Sequence, residues 1–470
     1  MSDGCDRQVP TLATIAGLIA LLVTGTAGAQ PVDVPSTWGG SLWERPRLTG
    51  DWFGFRDEMG KKGVVFDLDL LLTPQGVTSG GRDTQGEFWG NSEYTLNIDT
   101  QKLGLWPGGF FNVKAITGFG DTINSASGAL IPPNLATLLP DFGSPQTGLM
   151  NLSLLQFLSP KFGVIVGKLY ALGADTNEFA HDYHSQFMNA ALNFNMAAVL
   201  FPLTAYGGGF LILPWEGAQI SVSVVDADGT PTNNDISEAF RDGLLLGAEG
   251  RFEIKPFGLV GHQLVGFGWS NKTHVSLEQD PTNIQNALLR QEFTRLNNPG
   301  PVLTRILQRF FPELLVPVVP LNKTDSTWAV YYNFDQYLWS PEGHPDRGIG
   351  LFFRFGASDG VANPVRWTYN VGFGGKGIVP GRPDDTFGLG WARTETSSNF
   401  VPLLRDRLGL GLNKEDAIEM YYNASITRWL NATLDLQVID QALKKHLDSA
   451  GRLVDTGTAV ILGARLYARF

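Results

Sequence analysis

The sequence predicts an all-β fold, a transmembrane antiparallel β-barrel of about 16 strands with long extracellular loops and short periplasmic turns. Three observations predict it. Alternate residues of many segments separate into an apolar and a polar set, short and long connections alternate along the chain, and the mean hydropathy is −0.03. That value is too polar for a bundle of transmembrane helices, each of which needs about 20 nearly continuous apolar residues.

The composition favours strands and argues against a nucleic-acid-binding protein. Of the 470 residues, 17% are charged, 11% are aromatic and 56 are glycines. Glycine and aromatic residues suit strands and turns better than helix interiors. The formal net charge of −11 does not fit the concentrated basic surface that binds nucleic acid.

The first 29 residues have the pattern of a secretory signal peptide. An apolar run at 12–23 follows Arg7, the only basic residue of this segment, and precedes the small-residue site at 27–29. The run is about half the length that spans a bilayer. The single cysteine, Cys5, lies here, so the exported chain would form no disulfide, which is typical of a bacterial envelope protein.

The remaining chain is predicted to have two parts. Residues 30–63 form a periplasmic N-terminal segment with a short helix, which Asp51 is placed to cap. Residues 64–470 form the transmembrane barrel. We therefore expect export through a cleaved signal peptide (1–29) to the outer membrane of a Gram-negative bacterium.

The alternation of apolar and polar residues is clearest in the last predicted strand. Apolar residues at even positions from 460 to 470 alternate with Arg465, Tyr467 and Arg469. Successive side chains of a strand point to opposite faces, so in a barrel the apolar set faces lipid and the polar set faces the lumen. The same separation recurs at 434–438, 419–424, 365–373, 244–254, 93–99 and 66–70.

The connections alternate in length, as short periplasmic turns and longer extracellular loops do. Short connections are predicted at 105–108, 159–161, 214–217, 255–258 and 427–430. Long polar connections are predicted at 121–148, 171–197, 226–242, 272–325, 395–416 and 440–457. The loop 272–325 contains an apolar run at 302–321 with charges and prolines, which predicts a short amphipathic helix rather than a spanning helix.

A barrel of about 16 strands is wide enough for an aqueous channel, so the inferred function is a pore. Its lumen-facing candidates carry both signs of charge, which gives no strong ion preference and suits neutral polyhydroxyl solutes. Any porin lumen must be polar, however, so a general pore without sugar preference stays open. Tyr331 and Tyr421 lie at lumen-facing positions and could stack on sugar rings. The charged candidates on the strands are Asp67, Asp69, Glu93, Asp99, Arg354, Arg366 and Glu419.

The connection after the predicted fifth strand combines carboxylates, amides and aromatic rings at 173–184. Its position matches the loop that often folds into porin lumens, and Asp175 and Glu178 are its pore-lining candidates. His181 and His184 have a spacing that a metal pair could use, but the other histidines are scattered. We therefore expect no metal site and no cofactor.

Nine segments along the chain carry a resemblance to one known family. They are LTGDWFGFR at 48–56, KKGV at 61–64, LQFLSPKF at 155–162, GKL at 167–169, DTNEFA at 175–180, QFMN at 186–189, EMYY at 419–422, RWL at 428–430 and LDLQ at 434–437. These segments resemble the carbohydrate-selective porins, the OprB family of Gram-negative outer membranes. The resemblance implies passive diffusion of mono- or oligosaccharides such as glucose, through a lumen narrowed by inward loops. It also implies that the protein meets outer-membrane lipid, lipopolysaccharide and the barrel-assembly machinery, which would recognise the terminal aromatic Phe470.

Three other functions are alternatives to a sugar-preferring porin. A general or weakly ion-selective porin would share the barrel and lack the preference. An outer-membrane barrel enzyme needs a nucleophile with a base and an orienting group, and no histidine lies in a recognisable setting of that kind, so no enzyme is predicted. A secreted lectin would be soluble without detergent.

Overall fold

The structure, a computed structural model, describes residues 34–280, 300–310, 320–400, 409–448 and 451–470. Sixteen antiparallel strands close into one barrel, in which each strand pairs with its neighbours along the chain and β1 pairs with β16. The predicted fold is therefore confirmed. The strands are β1 (Val64–Gly81), β2 (Gly86–Asp99), β3 (Gly109–Gly120), β4 (Thr147–Ser159), β5 (Phe162–Tyr170), β6 (Thr204–Ile212), β7 (Ala218–Asp226), β8 (Leu244–Ile254), β9 (Gly261–Ser270), β10 (Thr327–Trp339), β11 (Gly348–Ser358), β12 (Val365–Lys376), β13 (Thr386–Thr396), β14 (Lys414–Thr427), β15 (Leu430–Asp440) and β16 (Gly457–Arg469).

The two faces of the strands differ as the alternation predicts. On β15, Leu434 is 71% exposed while its neighbour Asp435 is 4% exposed. On β16, Leu462 is 53% exposed while Arg465 is 3% exposed. The apolar residues therefore form the outer surface of the barrel, and the polar residues face its interior.

The N-terminal segment (34–63) leads into β1 through the short helix α1 (Phe55–Lys61). The expected cap at Asp51 is wrong, because no side chain caps this helix. Gly54 occupies the capping position with a φ of 87°, a left-handed conformation that glycine adopts without strain. The backbone carbonyl of Asp51 instead accepts a hydrogen bond from the Arg56 N–H at 3.0 Å.

Two of the outer connections fold back into the barrel. The first inward segment (121–146) contains the short helix α2 (Asn124–Ser127). The second inward segment (171–203) contains α3 (Ala190–Asn193). The N–H of Leu135 donates to the carbonyl of Met188 at 2.7 Å, which joins the two segments inside the barrel.

An apolar cluster lies between the inward segments and the lumen-facing side of the strands. Phe187 of the second inward segment lies 5.4 Å from Phe352 of β11 and 4.8 Å from Tyr421 of β14, measured between ring centroids. Leu135 of the first inward segment and Trp89 of β2 belong to the same buried cluster. Removing these surfaces from water stabilises both segments in the lumen.

The outer connections are mostly longer than the periplasmic turns, but the predicted alternation of lengths is not strict. The outer connections 82–85 and 359–364 are shorter than the periplasmic turns 100–108 and 377–385. Antiparallel neighbours can be joined by a tight turn at either end of a barrel, so the pairing itself does not fix which end has the long loops.

Small elements lie within the other outer loops. The loop 271–326 contains the helix α4 (Pro301–Phe310) and a short pairing of His274–Val275 with Lys323–Thr324. Lys445–Leu447 pairs with Leu453–Asp455 in the last loop. Among the described residues, no helix has both the length and the apolar character to cross a membrane. The predicted signal peptide lies outside the described residues.

Candidate functional site

A buried ion pair anchors the second inward segment to β11. Arg354 Nε lies 2.8 Å from Asp175 Oδ2, and the two side chains are 1% and 2% exposed. The same guanidinium donates to the backbone carbonyls of Asp175 and Leu192, each at 2.9 Å. Asn333 of β10 donates to Asp175 Oδ1 at 2.8 Å. One arginine therefore binds two separate parts of the segment.

A second group of anchors lies on β14 and β16. The carboxylate of Glu419 accepts hydrogen bonds from the N–H groups of Met188 and Asn189 at 2.5 and 2.9 Å. Arg465 donates to the carbonyls of Tyr183 and Gln186 at 2.8 and 2.6 Å. Backbone groups buried in the lumen need partners, and these charged side chains supply them.

A charged cluster lies around Glu93 of β2. Its carboxylate accepts hydrogen bonds from Lys114 Nζ at 2.7 Å and the Tyr183 hydroxyl at 2.6 Å, and it lies 2.9 Å from His184 Nε2. His184 Nδ1 lies 2.9 Å from Asp182 Oδ1. Burial lowers the pKa of the His184 imidazole, but Glu93 and Asp182 outweigh burial and raise that pKa to about 9. His184 is therefore a cation at neutral pH.

The first inward segment is held by the same chemistry. Glu415 of β14 accepts hydrogen bonds from the N–H groups of Leu130 and Ile131 at 2.7 and 2.8 Å. Gln437 of β15 donates to the carbonyl of Pro133 at 2.8 Å. Carboxylates thus bind loop N–H groups, while amide and guanidinium groups bind loop carbonyls.

Six predicted pore-lining residues are covered by the second inward segment or belong to its buried part. Their side chains lie inside the barrel, where packing against the segment buries them and keeps them from lining open water. That any of them contacts a solute stays a prediction. Their exposed fractions are Glu93 2%, Asp175 1%, Tyr331 6%, Arg354 1%, Glu419 0% and Tyr421 3%.

Three further predicted residues keep partial exposure inside the barrel. Asp67 lies 2.7 Å from Arg47 Nε, and its side chain is 15% exposed. Asp69 accepts a hydrogen bond from the Tyr467 hydroxyl at 3.1 Å. Glu178 of the second inward segment accepts one from Tyr337 at 3.0 Å. These carboxylates remain candidates for contact with a solute.

The last two predicted residues lie apart from this group. Asp99 ends β2 at the periplasmic rim, where its carboxylate accepts hydrogen bonds from the N–H groups of the following turn, including that of Gln101 at 3.0 Å. Arg366 lies where the pairing of β12 with β13 shifts by one residue, and its guanidinium lies 5.0 Å from the ring centroid of Trp367. A bulge of this kind interrupts the alternation from which a lumen-facing Arg366 was predicted.

Sequence reasoning missed two arginines of the N-terminal segment. Arg56 is 2% exposed, lies 2.9 Å from Asp67 Oδ1 and donates to the backbone carbonyl of Phe470 at 3.0 Å. Arg47 binds the same aspartate. Both precede the first strand, so no alternation assigns them to a face. The N–H of Phe470 donates to the carbonyl of Leu68 at 2.8 Å, which fixes the C-terminus beside β1.

The residues of the proposed histidine pair have different environments. His184 is held by two carboxylates, whereas burial and the nearby Arg354 lower the pKa of His181 to about 4. One imidazole is charged and the other is neutral at pH 7. Within the described ranges, no group of three or more His, Cys, Asp or Glu side chains is arranged to hold a metal ion.

A protein-family model, a related protein sequence and two solved structures are similar to this chain. The family model described as "Carbohydrate-selective porin, OprB family" matches residues 89–470. Porin B of Pseudomonas aeruginosa is 22% identical over 98% of this chain and 98% of its own. The high-pH structure of Pseudomonas putida OprB has a TM-score of 0.71 at 20% identity and covers 92% of this chain and 100% of that one. The low-pH structure has a TM-score of 0.52 at 16% identity, covering 91% and 99%. These two structures share the fold of this chain.

Proposed function

This chain belongs to the carbohydrate-selective porin family OprB, and from this we propose that it lets sugars such as glucose diffuse passively into the periplasm. The barrel and the family indicate a porin of the Gram-negative outer membrane. The observation that carries the proposal is the family match over residues 89–470.

The geometry of the lumen supports selection by size and by hydrogen bonding. The two inward segments occupy part of the barrel interior and therefore narrow the path of a solute. Lys114, His184 and Asp182 keep side-chain exposures of 20%, 16% and 45%, so both signs of charge lie beside the remaining space. Such a surface offers donors and acceptors to sugar hydroxyls and does not favour one sign of ion.

Liposome swelling tests the sugar preference. We expect reconstituted protein to give faster swelling in glucose than in an amino acid of similar size. Equal rates would refute the sugar preference and leave a general diffusion porin. Swelling no faster than in protein-free liposomes would refute the pore itself.

A pair of lysine variants tests whether the cluster around Glu93 contributes to the preference. Lys114→Met removes a partly exposed donor from the lumen, and we expect it to reduce the ratio of glucose to amino-acid swelling. Lys255→Met is the matched control, since Lys255 lies in a periplasmic turn with a side chain that is 60% exposed. The same ratio in both variants would exclude Lys114 from solute recognition.

Five further features belong to this proposal. The signal peptide is removed after residue 29, and residues 30–63 face the periplasm. Asp67, Asp69 and Glu178 contact the solute. The barrel-assembly machinery recognises Phe470, and lipopolysaccharide surrounds the outer rim of the barrel.

A further inference from the structure

A cavity of about 500 Å³ lies at the periplasmic end of the barrel. Pro35 and Trp38 of the N-terminal segment line one side of it. The other side is formed by strand ends and turns, among them Lys376 of β12 and Asn431 of β15. Small-molecule sites in proteins have volumes of roughly 300–1,000 Å³, so this space can hold a monosaccharide.

Basic residues predominate around this cavity, although the whole chain has a formal net charge of −11. Arg47, Lys376, Arg428 and Arg469 line it together with two carboxylates, those of Asp67 and Asp384. Positive charges attract an anion more strongly in a confined space than in open water, because the effective dielectric constant there is lower.

The two carboxylates compensate the positive charge of the four lining cations only in part. Asp67 is already bound by Arg47 at 2.7 Å and by Arg56 at 2.9 Å. Within the described part of the chain, neither the Lys376 ammonium nor the Arg428 guanidinium donates a hydrogen bond or forms an ion pair with a protein group, and Lys376 acts on the Glu178 carboxylate only through space. Two basic groups are therefore available to a solute in the cavity.

Polar atoms without partners provide a second, independent observation. Asn431 is only 8% exposed and lines the cavity, yet its Oδ1 has no hydrogen-bond partner. Arg469 Nε is also buried without a partner, while the same guanidinium donates to the Arg428 carbonyl and lies 5.6 Å from the ring centroid of Tyr467. Buried polar atoms are nearly always paired, so unpaired atoms in a cavity indicate a place for a ligand.

We propose that this cavity is an exit-side binding site for an anionic sugar that carries a single carboxylate or phosphate group. Lys376 and Arg428 bind the anionic group, and Asn431 binds a sugar hydroxyl. The inference rests on the porin function proposed above, but it does not need the preference for glucose. It extends the solutes of this porin from neutral sugars to acidic ones.

Calorimetric titration of the folded full chain in detergent tests the site. The probes are potassium gluconate, glucose 6-phosphate, inorganic phosphate and glucose. We expect at least one of the two anionic sugars to bind more tightly than glucose and than inorganic phosphate. Lys376→Gln and Arg428→Gln should each weaken that binding roughly tenfold, the loss typical of one charged hydrogen bond. Lys255→Gln, in another periplasmic turn, should bind like the unmodified protein.

The outcomes are distinct. Equal affinity of the unmodified protein and both cavity variants would overturn the site, as would the absence of binding by both anionic sugars. Inorganic phosphate bound as tightly as either sugar would overturn the sugar part of the proposal. A variant is compared with the unmodified protein only if its unheated sample migrates as a folded barrel in a gel. One folded variant, Lys376→Gln or Arg428→Gln, is enough to test the site. Glucose swelling of the unmodified protein is measured separately, so a failed sugar preference and a failed anion site are distinguishable.

Discussion

Replacing Arg354 by methionine tests whether buried anchors hold the second inward segment in the lumen. The change removes the 2.8 Å contact with the Asp175 carboxylate and the two hydrogen bonds to the carbonyls of Asp175 and Leu192. Methionine retains an unbranched side chain in the same space. The carboxylate of Asp175, which is 2% exposed, then lacks its cation.

The free-energy cost of the substitution follows from the burial of the Asp175 carboxylate. Removing one partner of a buried ion pair typically costs about 3–5 kcal/mol, because the other charge stays uncompensated. Asn333 still donates to the same carboxylate at 2.8 Å, so we expect a value near the lower limit, about 3 kcal/mol. That energy changes the ratio of docked to displaced segment by about a hundredfold. Glu419 and Arg465 still bind other parts of the segment, so the barrel itself should stay folded.

Single-channel recording and amide hydrogen exchange measure the effect. We expect Arg354→Met to raise the conductance and to speed exchange in residues 171–203. Arg366→Met is the matched control, because the Arg366 guanidinium donates to the carbonyl of Ser358 and lies over the rings of Trp328 and Trp367, rather than binding the second inward segment. Unchanged conductance and exchange in Arg354→Met would refute the anchoring role.

A double-mutant cycle separates the ion pair from other effects of the substitution. Asp175→Asn removes the charge that Arg354→Met leaves uncompensated. The double variant should therefore lose less stability than the sum of the losses in the two single variants. Strict additivity would show that the two side chains do not stabilise the segment as a pair.

The other predictions concern pH, the lipid-facing surface and assembly. The pKa of His184 is raised to about 9, from an unfolded value near 6.5, so its stabilising effect is complete below about pH 6.5 and is lost as the pH rises through 9. Thermal unfolding between pH 6 and 10 should show this loss, and a His184→Gln variant with the same pH profile would contradict it. Leu434→Arg should destabilise the barrel by about 2–4 kcal/mol in urea titrations, because this residue faces lipid, whereas a cost no larger than that of Leu434→Ala would argue against that placement. Deleting Phe470 should reduce the amount of folded barrel in outer membranes, and full assembly of the truncated chain would remove its role as a recognition signal.

Many of the strands could be predicted from the sequence because they have a period of two that is visible locally. Leu434 on the lipid-facing side is 71% exposed, whereas its neighbour Asp435 on the covered lumen side is 4% exposed. The alternation failed at Arg366, where one extra residue shifts the pairing and no local pattern marks the shift. It also gave no information about Arg47 and Arg56, which lie outside the strands.

The lumen could be predicted only in part. Alternation predicts which charged residues of a strand face the lumen, but the sequence does not show which of them a loop covers. Glu419 and Asp69 are both carboxylates at lumen-facing positions of alternating strands. The carboxylate of Glu419 accepts hydrogen bonds from two loop N–H groups, whereas that of Asp69 accepts one from a tyrosine hydroxyl. Inward folding of a loop depends on contacts between residues far apart in the sequence, such as Met188 and Glu419, which no local pattern contains.

A charged residue in this lumen therefore has one of two roles, and its exposure separates them. Arg354 and Glu419 are covered and bind loop backbone, so their replacement should alter conductance and thermal stability together. Lys114 is partly exposed, and His184 still binds Glu93 when Lys114 is replaced, so the replacement should alter the ratio of glucose to amino-acid flux with a smaller change in stability. Measuring flux ratio and unfolding temperature for both kinds of variant would separate the roles, because a residue that only binds solute has no reason to hold the second inward segment. If Lys114→Met lowered the unfolding temperature as much as Arg354→Met, exposure would not distinguish recognition from anchoring in this barrel.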